Sequence, residues 1–328
     1  MNTMWTRTCL VLVAILATAG CGQGSSAPGT MTIAVIPKGT AHIFWQSIHA
    51  GAARAGKELG VEIIWRGPVR EDDRDSQVSE VEGFVSRGVS GIVLAPLDET
   101  ALMGPVSEAK ARNIPVVIID SGLKGSDFVS FVATDNQKGG ELGGDRLADV
   151  MGGKGKVVLL RYAEGSDSTN RREEGFLASM KKHAGLEVVS SNQYLGSDVE
   201  GAYKRSEAVL SRFKNPDGSL QISGIFCPNE STTFATMRVL ADNGWAGKVK
   251  FVGFDAAPNL VEGLEKGIID GLVLQDPVKM GYLGVKTMVS HLKKEPVEAR
   301  IDTGVTIATP QNRQQPEIVA LLEPERVK

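Results

Sequence analysis

Short apolar runs rich in β-branched residues alternate along the chain with longer stretches whose apolar positions recur every three or four residues. The first pattern predicts strands buried on both faces, the second helices with one buried stripe. Thr32–Ile36 predicts the first strand and Phe44–Gly60 the first helix. Glu62–Trp65, Gly91–Ala95 and Val116–Asp120 follow as strands, Gln77–Arg87 and Thr100–Ala111 as helices. Pro115 fits only at the start of its strand, where its missing N–H is harmless. Val129–Ala133 predicts one more strand, closed by the polar turn Thr134-Asp135-Asn136. The pattern then begins again. Strands are predicted at Lys156–Leu160, Glu187–Ser191, Gly224–Cys227, Lys250–Phe254 and Gly271–Leu274, with helices at Lys138–Met151, Arg171–His183, Gly201–Arg212 and Thr232–Asn243. Alternation of this kind builds parallel sheets covered by helices on both faces. Two successive runs predict an α/β fold of two Rossmann-like lobes, whose ligands bind beyond the carboxyl ends of the strands.

The N-terminus stands outside this pattern. Met1–Arg7 holds one base and no acid, Cys9–Ala19 is almost wholly apolar, and Gly20-Cys21 closes the run. The run is shorter than the roughly 20 apolar residues that span a bilayer. A basic start, an apolar centre and small residues before a cleavage point make a secretory signal. Leu16-Ala17-Thr18-Ala19-Gly20-Cys21 also resembles a bacterial lipobox, in which the Cys becomes the lipid-carrying first residue of the mature protein. The alternative is an ordinary cleaved signal beside an incidental Cys. The Gly/Ser/Pro-rich stretch 22–30 has the composition of a flexible tether and favours lipidation at Cys21.

The remaining composition narrows the partners. The chain has 328 residues, 42% hydrophobic and 23% charged, as in ordinary globular proteins. Arg7 is the only charge in the leader. Its loss removes one of 36 bases against 39 acids, so the mature chain is one unit more negative than the whole chain's −3. Bases are dispersed among acids, which gives no footprint for nucleic acid. Cys9 leaves with the signal and Cys21 is the lipid position, so Cys227 is left without a disulfide partner. It lies in the apolar run Ile225-Phe226-Cys227 and reads as a core thiol. The four histidines fall in separate segments without metal-ligand spacing. Gly152-Gly153-Lys154-Gly155-Lys156 lacks the Walker spacing and reads as a turn, and no Ser or Cys stands in a nucleophile elbow. No enzyme, cofactor or metal is expected.

The strand ends carry the candidate chemistry. The first strand leads to Lys38, His42, Phe44 and Trp45; others end at Asp120-Ser121, Asn229-Glu230, Asp255 and Gln275, and Arg172 is placed at a helix start. Aromatic rings can cover the apolar C–H faces of a sugar, while carboxylates, amides and a guanidinium bond its hydroxyls. Each residue also has a plainer reading. Phe44 and Trp45 fit a helix's core face, Lys38 a solvated loop, and Asn229 and Asp255 a helix cap.

With these residues in place the chain resembles the ribose/galactose/allose class of periplasmic binding proteins from Met31 to about Thr309. The markers are the first strand running into Phe44-Trp45, Ile114-Pro115-Val116-Val117-Ile118-Ile119-Asp120, and Thr134-Asp135-Asn136. Arg172-x-x-Gly175-Phe176, Asn229-Glu230, Val252-Gly253-Phe254-Asp255 and Gln275-Asp276-Pro277 follow in order. The resemblance implies a type I periplasmic-binding fold joined by a multi-strand hinge. It implies an N-terminal lobe of 31–133 plus 276–304 and a C-terminal lobe of 134–275 plus 305–328, after a signal of 1–20 and a tether of 21–30. It implies sugar contacts at Phe44, Trp45, Lys38, Asp120, Arg172, Asn229, Asp255 and Gln275, with His42 where ribose-type members often have Asn. Ser121 stands where ribose-type members have Arg, which puts ribose itself in doubt. The charged run Arg70–Asp75, the run Asn170–Glu174 and the bulkier, more basic set of Lys38, His42 and Trp45 favour a pyranose or modified sugar, although solvated surface explains the charge runs equally well. The second lobe's aromatic is missing at its usual place near Gly196, with Tyr194 the nearest substitute. The implied protein is a monomeric, lipid-anchored, extracytoplasmic binder of a monosaccharide that serves an ABC importer permease. A receptor presenting sugar to a membrane sensor would share the pocket. A sugar-responsive repressor shares the core but begins with a DNA-binding segment, where this chain has an export signal.

Overall fold

The computed structural model describes residues 31–323. The signal, the tether, Cys21 and the last five residues lie outside them. The first lobe is built on β1 (Thr32–Ile36), β2 (Glu62–Trp65), β3 (Gly91–Leu94), β4 (Val116–Ile119) and β5 (Ser130–Ala133), with α1 (Ile43–Leu59), α2 (Arg74–Arg87) and α3 (Met103–Ala111) between them. The second contains α4 (Asn136–Val150), β6 (Lys154–Arg161), α5 (Asp167–Met180), β7 (Gly185–Tyr194), α6 (Val199–Ser211), β8 (Gly224–Phe226), α7 (Glu230–Asp242), β9 (Lys250–Phe254), α8 (Pro258–Glu265) and β10 (Gly271–Leu274). The chain then returns to the first lobe for α9 (Pro277–Leu292) and β11 (Arg300–Asp302), and ends in the second with β12 (Thr306–Ala308) and α10 (Pro316–Leu322).

The sheet orders are β11-β5-β4-β3-β1-β2 and β12-β10-β9-β8-β6-β7. Every pairing is parallel except that of β12 with β10. The strands read as unbroken apolar runs because both faces are covered. In β1, Ile33 and Val35 enter the core under α1 and α9, whereas Ala34 and Ile36 enter the one under α2 and α3. In β6, Val158 and Leu160 face one core and Val157 and Leu159 the other. Burying each such Val, Leu or Ile contributes about 1.5–3 kcal/mol.

Each lobe has one helix crossing at backbone contact. A Cβ on Gly51 of α1 would lie 1.9 Å from the Val278 carbonyl of α9, and one on Gly140 of α4 1.9 Å from the Arg172 carbonyl of α5. Only glycine admits such an approach. The chain crosses between lobes at 133–136, 274–277 and 302–306. The crossings brace one another: Thr303 N–H donates to Ala133 O at 3.2 Å, Arg300 Nη2 to Thr134 O at 3.0 Å, and Lys279 Nζ to Thr303 O at 3.2 Å.

Several predicted bounds need correction. The helix read from Thr100 starts at Met103, because the Asp98 carboxylate accepts from the N–H groups of Thr100 and Ala101 and holds them in a turn. The helix read from Arg171 starts at Asp167, so Arg172 sits in its second turn. Its polar first turn carries no apolar period. The strand read as Glu187–Ser191 runs from Gly185 to Tyr194 on the sheet edge, where solvent-facing polar residues mask it. Of Gly152–Lys156, only the first two residues are turn, and Lys154 begins β6.

Gln77 on α2 is wholly buried. Its Nε2 donates to Pro37 O at 2.9 Å and Ala95 O at 2.8 Å, and its Oε1 accepts from Leu97 N–H at 2.8 Å. It thus ties down the ends of β1 and β3. Gln77→Leu orphans three buried backbone groups and is expected to cost about 3 kcal/mol. Urea unfolding checks this; a loss below about 1 kcal/mol, the size of a single ordinary hydrogen bond, contradicts it.

Candidate functional site

The carboxyl ends of both sheets face one cleft. Lys38, His42, Phe44 and Trp45 reach it from β1 and the start of α1, Glu71 from the loop after β2, and Asp120 from the end of β4. Tyr162, Ser168, Thr169 and Arg172 come from the end of β6 and from α5; Asn229, Glu230, Asp255 and Gln275 follow β8, β9 and β10. All nine residues read from the sequence therefore line a single cavity. Its free space is about 30 Å³, enough for one or two waters. A roomier open groove of about 570 Å³ lies at Phe131, Asp135, Arg171 and Arg300. Its charged groups are already engaged, Arg171 with Asp167 at 3.3 Å and Lys124 with Glu99 at 2.7 Å. The convergence of buried polar groups marks the smaller cleft as the candidate site.

Asp120 and Asp255 turn into the cleft with left-handed backbones, φ 62° and 72°. That conformation is unfavourable for a residue with a Cβ, and backbone bonds hold it: Asp120 N–H to Val132 O at 3.2 Å, Asp255 N–H to Val273 O at 2.8 Å. The same device stands at matching strand ends of the two lobes.

Three polar clusters join the lobes. In the first, Lys38 Nζ lies 3.0 Å from Asp120 Oδ2 and donates to Ser168 Oγ at 3.0 Å and Ser166 Oγ at 3.2 Å. In the second, the Glu71 carboxylate accepts from His42 Nδ1, from Trp45 Nε1 at 2.7 Å and, across the cleft, from Tyr162 OH at 2.7 Å. In the third, Glu230 Oε2 accepts from Phe44 N–H at 3.1 Å, while Asp255 accepts from Glu230 N–H at 2.9 Å and Gln275 Nε2 at 2.7 Å.

Arg172 is wholly inside. Its Nε donates to Asn136 Oδ1 at 2.8 Å, its Nη1 to Pro228 O at 2.9 Å, and its guanidinium lies 4.0 Å from the Phe254 ring centre. Its Nη2 is buried without a hydrogen-bond partner, as is Gln275 Oε1. One is a donor and the other an acceptor, and a hydroxyl satisfies either. Burial pulls the guanidinium below its ordinary range against Asp255 and Asp120, and pushes Asp255 up against the pull of Arg172 and Gln275.

Burial alone would lower the His42 ring's pKa, but the bond to Glu71 and its charge, with Glu230 and Asp255 behind them, raise it to about 9. Burial would raise Glu71, but the bonds from His42, Tyr162 and Trp45 hold it at about 2. Burial lifts Glu230 to about 7, partly offset by His42. His42 therefore stabilises the fold fully below pH 6.5, and that contribution is lost as pH rises through about 9. Glu71's is present above 4.5 and lost as pH falls through about 2. Glu230, with its raised pKa, costs stability increasingly from 4.5 up to about 7. The thermal midpoint is expected to peak near pH 4.5 and to fall on the alkaline side, first as Glu230 ionises and then as His42 loses its proton. A midpoint flat from 6.5 to 9 contradicts the His42–Glu71 coupling.

Some readings need revision. Tyr194 does not serve as the second lobe's aromatic: it is partly exposed on an edge strand with Arg161 4.7 Å from its ring centre. Tyr162 is the aromatic side chain that lines the cleft from the second lobe. Asn229 lines the cleft while also capping α7, its Oδ1 accepting from Thr232 Oγ1 at 2.6 Å. Glu71 sits in the charged run Arg70–Asp75, which fits a solvated surface by composition, yet it is buried. Cys227 is a buried thiol whose pKa desolvation pushes to about 12, as a core position requires.

The family model for the periplasmic binding protein domain matches residues 33–296. A ribose import binding protein of Haemophilus influenzae is 28% identical over 88% of this chain and 94% of its own. A carbohydrate transporter solute-binding protein of Agrobacterium radiobacter, solved with D-arabinose, is 36% identical, with a TM-score of 0.85 over 90% of this chain and all of its own. An ABC transporter solute-binding protein of Agrobacterium vitis, solved with D-fucose, is also 36% identical, with a TM-score of 0.83 over 89% of this chain and 99% of its own. This chain belongs to the periplasmic binding protein family, in its ribose/galactose/allose class of type I fold, and is an extracytoplasmic binding protein rather than an enzyme.

Proposed function

We propose that the protein captures a neutral monosaccharide, in pyranose form, between its lobes and hands it to an ABC importer permease. The observation that carries this reading is the pair of buried groups in the cleft left without a hydrogen bond, Gln275 Oε1 and Arg172 Nη2, the latter held only at ion-pair distance, 3.9 Å, from Asp120 Oδ1. Buried polar groups without partners are costly, and a polyhydroxylated ligand supplies both missing bonds. Phe44, Trp45 and Tyr162 offer apolar faces beside them. Three cations, Lys38, His42 and Arg172, stand among Glu71, Asp120, Asp255 and Glu230. With no surplus positive charge, the set favours a neutral sugar over a phosphorylated or acidic one. The relatives solved with D-arabinose and D-fucose supply the nearest chemical models.

The ligand contacts are Lys38, His42, Phe44, Trp45, Asp120, Arg172, Asn229, Asp255 and Gln275. The lobes are 31–133 plus 276–304 and 134–275 plus 305–328. A cleft with free space for only one or two waters admits a sugar when the lobes part about the three crossings, and the sugar then favours the closed form by touching both. After cleavage of 1–20, lipid on Cys21 tethers a monomer to the membrane through residues 22–30. Solution scattering tests the movement: saturating D-fucose or D-arabinose is expected to reduce the radius of gyration. A bound sugar that leaves the radius unchanged contradicts closure.

A further inference from the structure

Glu71 lies in a run of charges, Arg70–Asp75, yet its carboxylate is among the most heavily bonded groups in the cleft. Three donors converge on its two oxygens. His42 and Trp45 come from the first lobe, and Tyr162 reaches it from the end of β6 in the second. A second observation shows that the chain makes room for this side chain. A Cβ on Gly39 would lie 2.7 Å from Glu71 Cγ, so glycine at 39 leaves the path open.

We infer that Glu71 is the positioning residue of the sugar site: it orients the indole of Trp45 and the ring of His42, clasps Tyr162 across the closed cleft, and keeps His42 a donor at both ring nitrogens. This rests on the proposed sugar reading and extends it to the ligand's recognition pattern. The Glu71 oxygens are occupied by protein donors, so the carboxylate acts through its partners. His42 Nδ1 is spent on Glu71, which leaves Nε2–H as the ring's free donor. At that wall the ligand must present an acceptor, such as a hydroxyl or ring oxygen. A ligand presenting only donors there, such as a ring ammonium, is disfavoured.

The groups facing His42 are Glu71 from the β2–α2 loop, Glu230 at the start of α7 and Asp255 at the end of β9, with Lys38 and Arg172 lining the same cleft. Glu230 titrates near neutrality, so affinity alone does not isolate the histidine. The test therefore begins with an NMR titration of the His42 ring in the sugar-free protein, assigned with His42→Gln. The wild-type ring is expected to titrate near 9, and that of Glu71→Gln to move at least one unit toward 6.5. A wild-type ring at its ordinary value, or one unmoved in Glu71→Gln, overturns the inference, and the wild-type result decides even if the variant does not fold.

The second arm is D-fucose affinity by calorimetry. Glu71→Gln is expected to weaken binding about tenfold or more near pH 8 relative to wild type, the scale of one lost charge-assisted bond. Lowering the pH to about 6, where its ring recharges, should restore more of the lost affinity in Glu71→Gln than in the Glu71→Gln/His42→Gln double variant. Equal recovery in both overturns the role assigned to His42. If the wild type binds no neutral aldose or ketose, the sugar reading fails, while the ring titration still decides whether Glu71 sets the state of His42.

Discussion

Arg172→Ala is expected to lower the affinity for D-fucose about a thousandfold. Two charge-assisted bonds to the ligand, each contributing about 1.5–3 kcal/mol, account for a loss of this size. The guanidinium has no substitute in the cleft. Its Nη2 is a buried donor that the protein leaves without a hydrogen bond, 3.9 Å from Asp120 Oδ1, and Asn136 Oδ1 and Pro228 O fix the fork in place. The effect on the fold is smaller because opposing terms partly cancel. Removal orphans those two acceptors and leaves a void over Phe254, but it also relieves a desolvated cation. A net loss of about 2 kcal/mol is expected, within the range for leaving buried acceptors unbonded. Arg172→Lys keeps the charge without the planar fork and should stay at least tenfold weaker than wild type. Calorimetric titration separates the cases. An Arg172→Ala affinity within a few-fold of wild type contradicts the assignment of this residue as a sugar contact.

Gly140→Ala is expected to destabilise the protein by about 3 kcal/mol and to weaken sugar binding at the same time. The added methyl would meet the Arg172 carbonyl at 1.9 Å, and Gly175 makes the reciprocal approach to the Gln137 carbonyl at 2.1 Å. Backbone lies on both sides of the contact, so no rotamer change relieves it and the helices must separate. Because α5 carries Arg172 at this crossing, separation moves the guanidinium away from Asn136 and the cleft. Gly83→Ala is the control. Gly83 lies inside α2, where a Cβ meets only the flexible end of Arg87 at 3.7 Å. There the same substitution should stabilise by about 0.5–1 kcal/mol through helix propensity. Urea unfolding of the two variants tests the contrast. A Gly140→Ala protein as stable as wild type would mean that the crossing relaxes at little cost.

The parts of this molecule legible in its sequence are those with a local period or a strand-end position. Val116–Ile119 and Thr32–Ile36 are continuous apolar runs because each is covered on both faces, so period and burial coincide. Asp120, Asp255 and Gln275 directly follow apolar strands, and a parallel sheet puts such positions at its ligand edge. What a local pattern cannot reveal is set by long-range contacts. Glu71 looks like solvated charge because its donors lie 29, 26 and 91 residues away. Tyr162 stands just past β6, with nothing nearby to mark it as the second lobe's aromatic. Asn229 satisfies a cap and lines the cleft at once, so the two readings of it were never exclusive. The short strands β11 and β12 carry three residues each, too few for a period, and exist because β5 and β10 offer edges to pair with.

The central claim is that the cleft at Arg172 and Gln275 binds a neutral monosaccharide. Its most direct test is an equilibrium titration of the purified protein with D-fucose, D-arabinose and D-ribose, followed by tryptophan fluorescence, since Trp45 lies in the cleft wall. Saturable binding of at least one sugar with a stoichiometry of one per chain, lost in Arg172→Ala, is the predicted result. Absence of saturable binding across a panel of neutral aldoses and ketoses would contradict the account, leaving the fold in place and the cleft to a different class of small molecule.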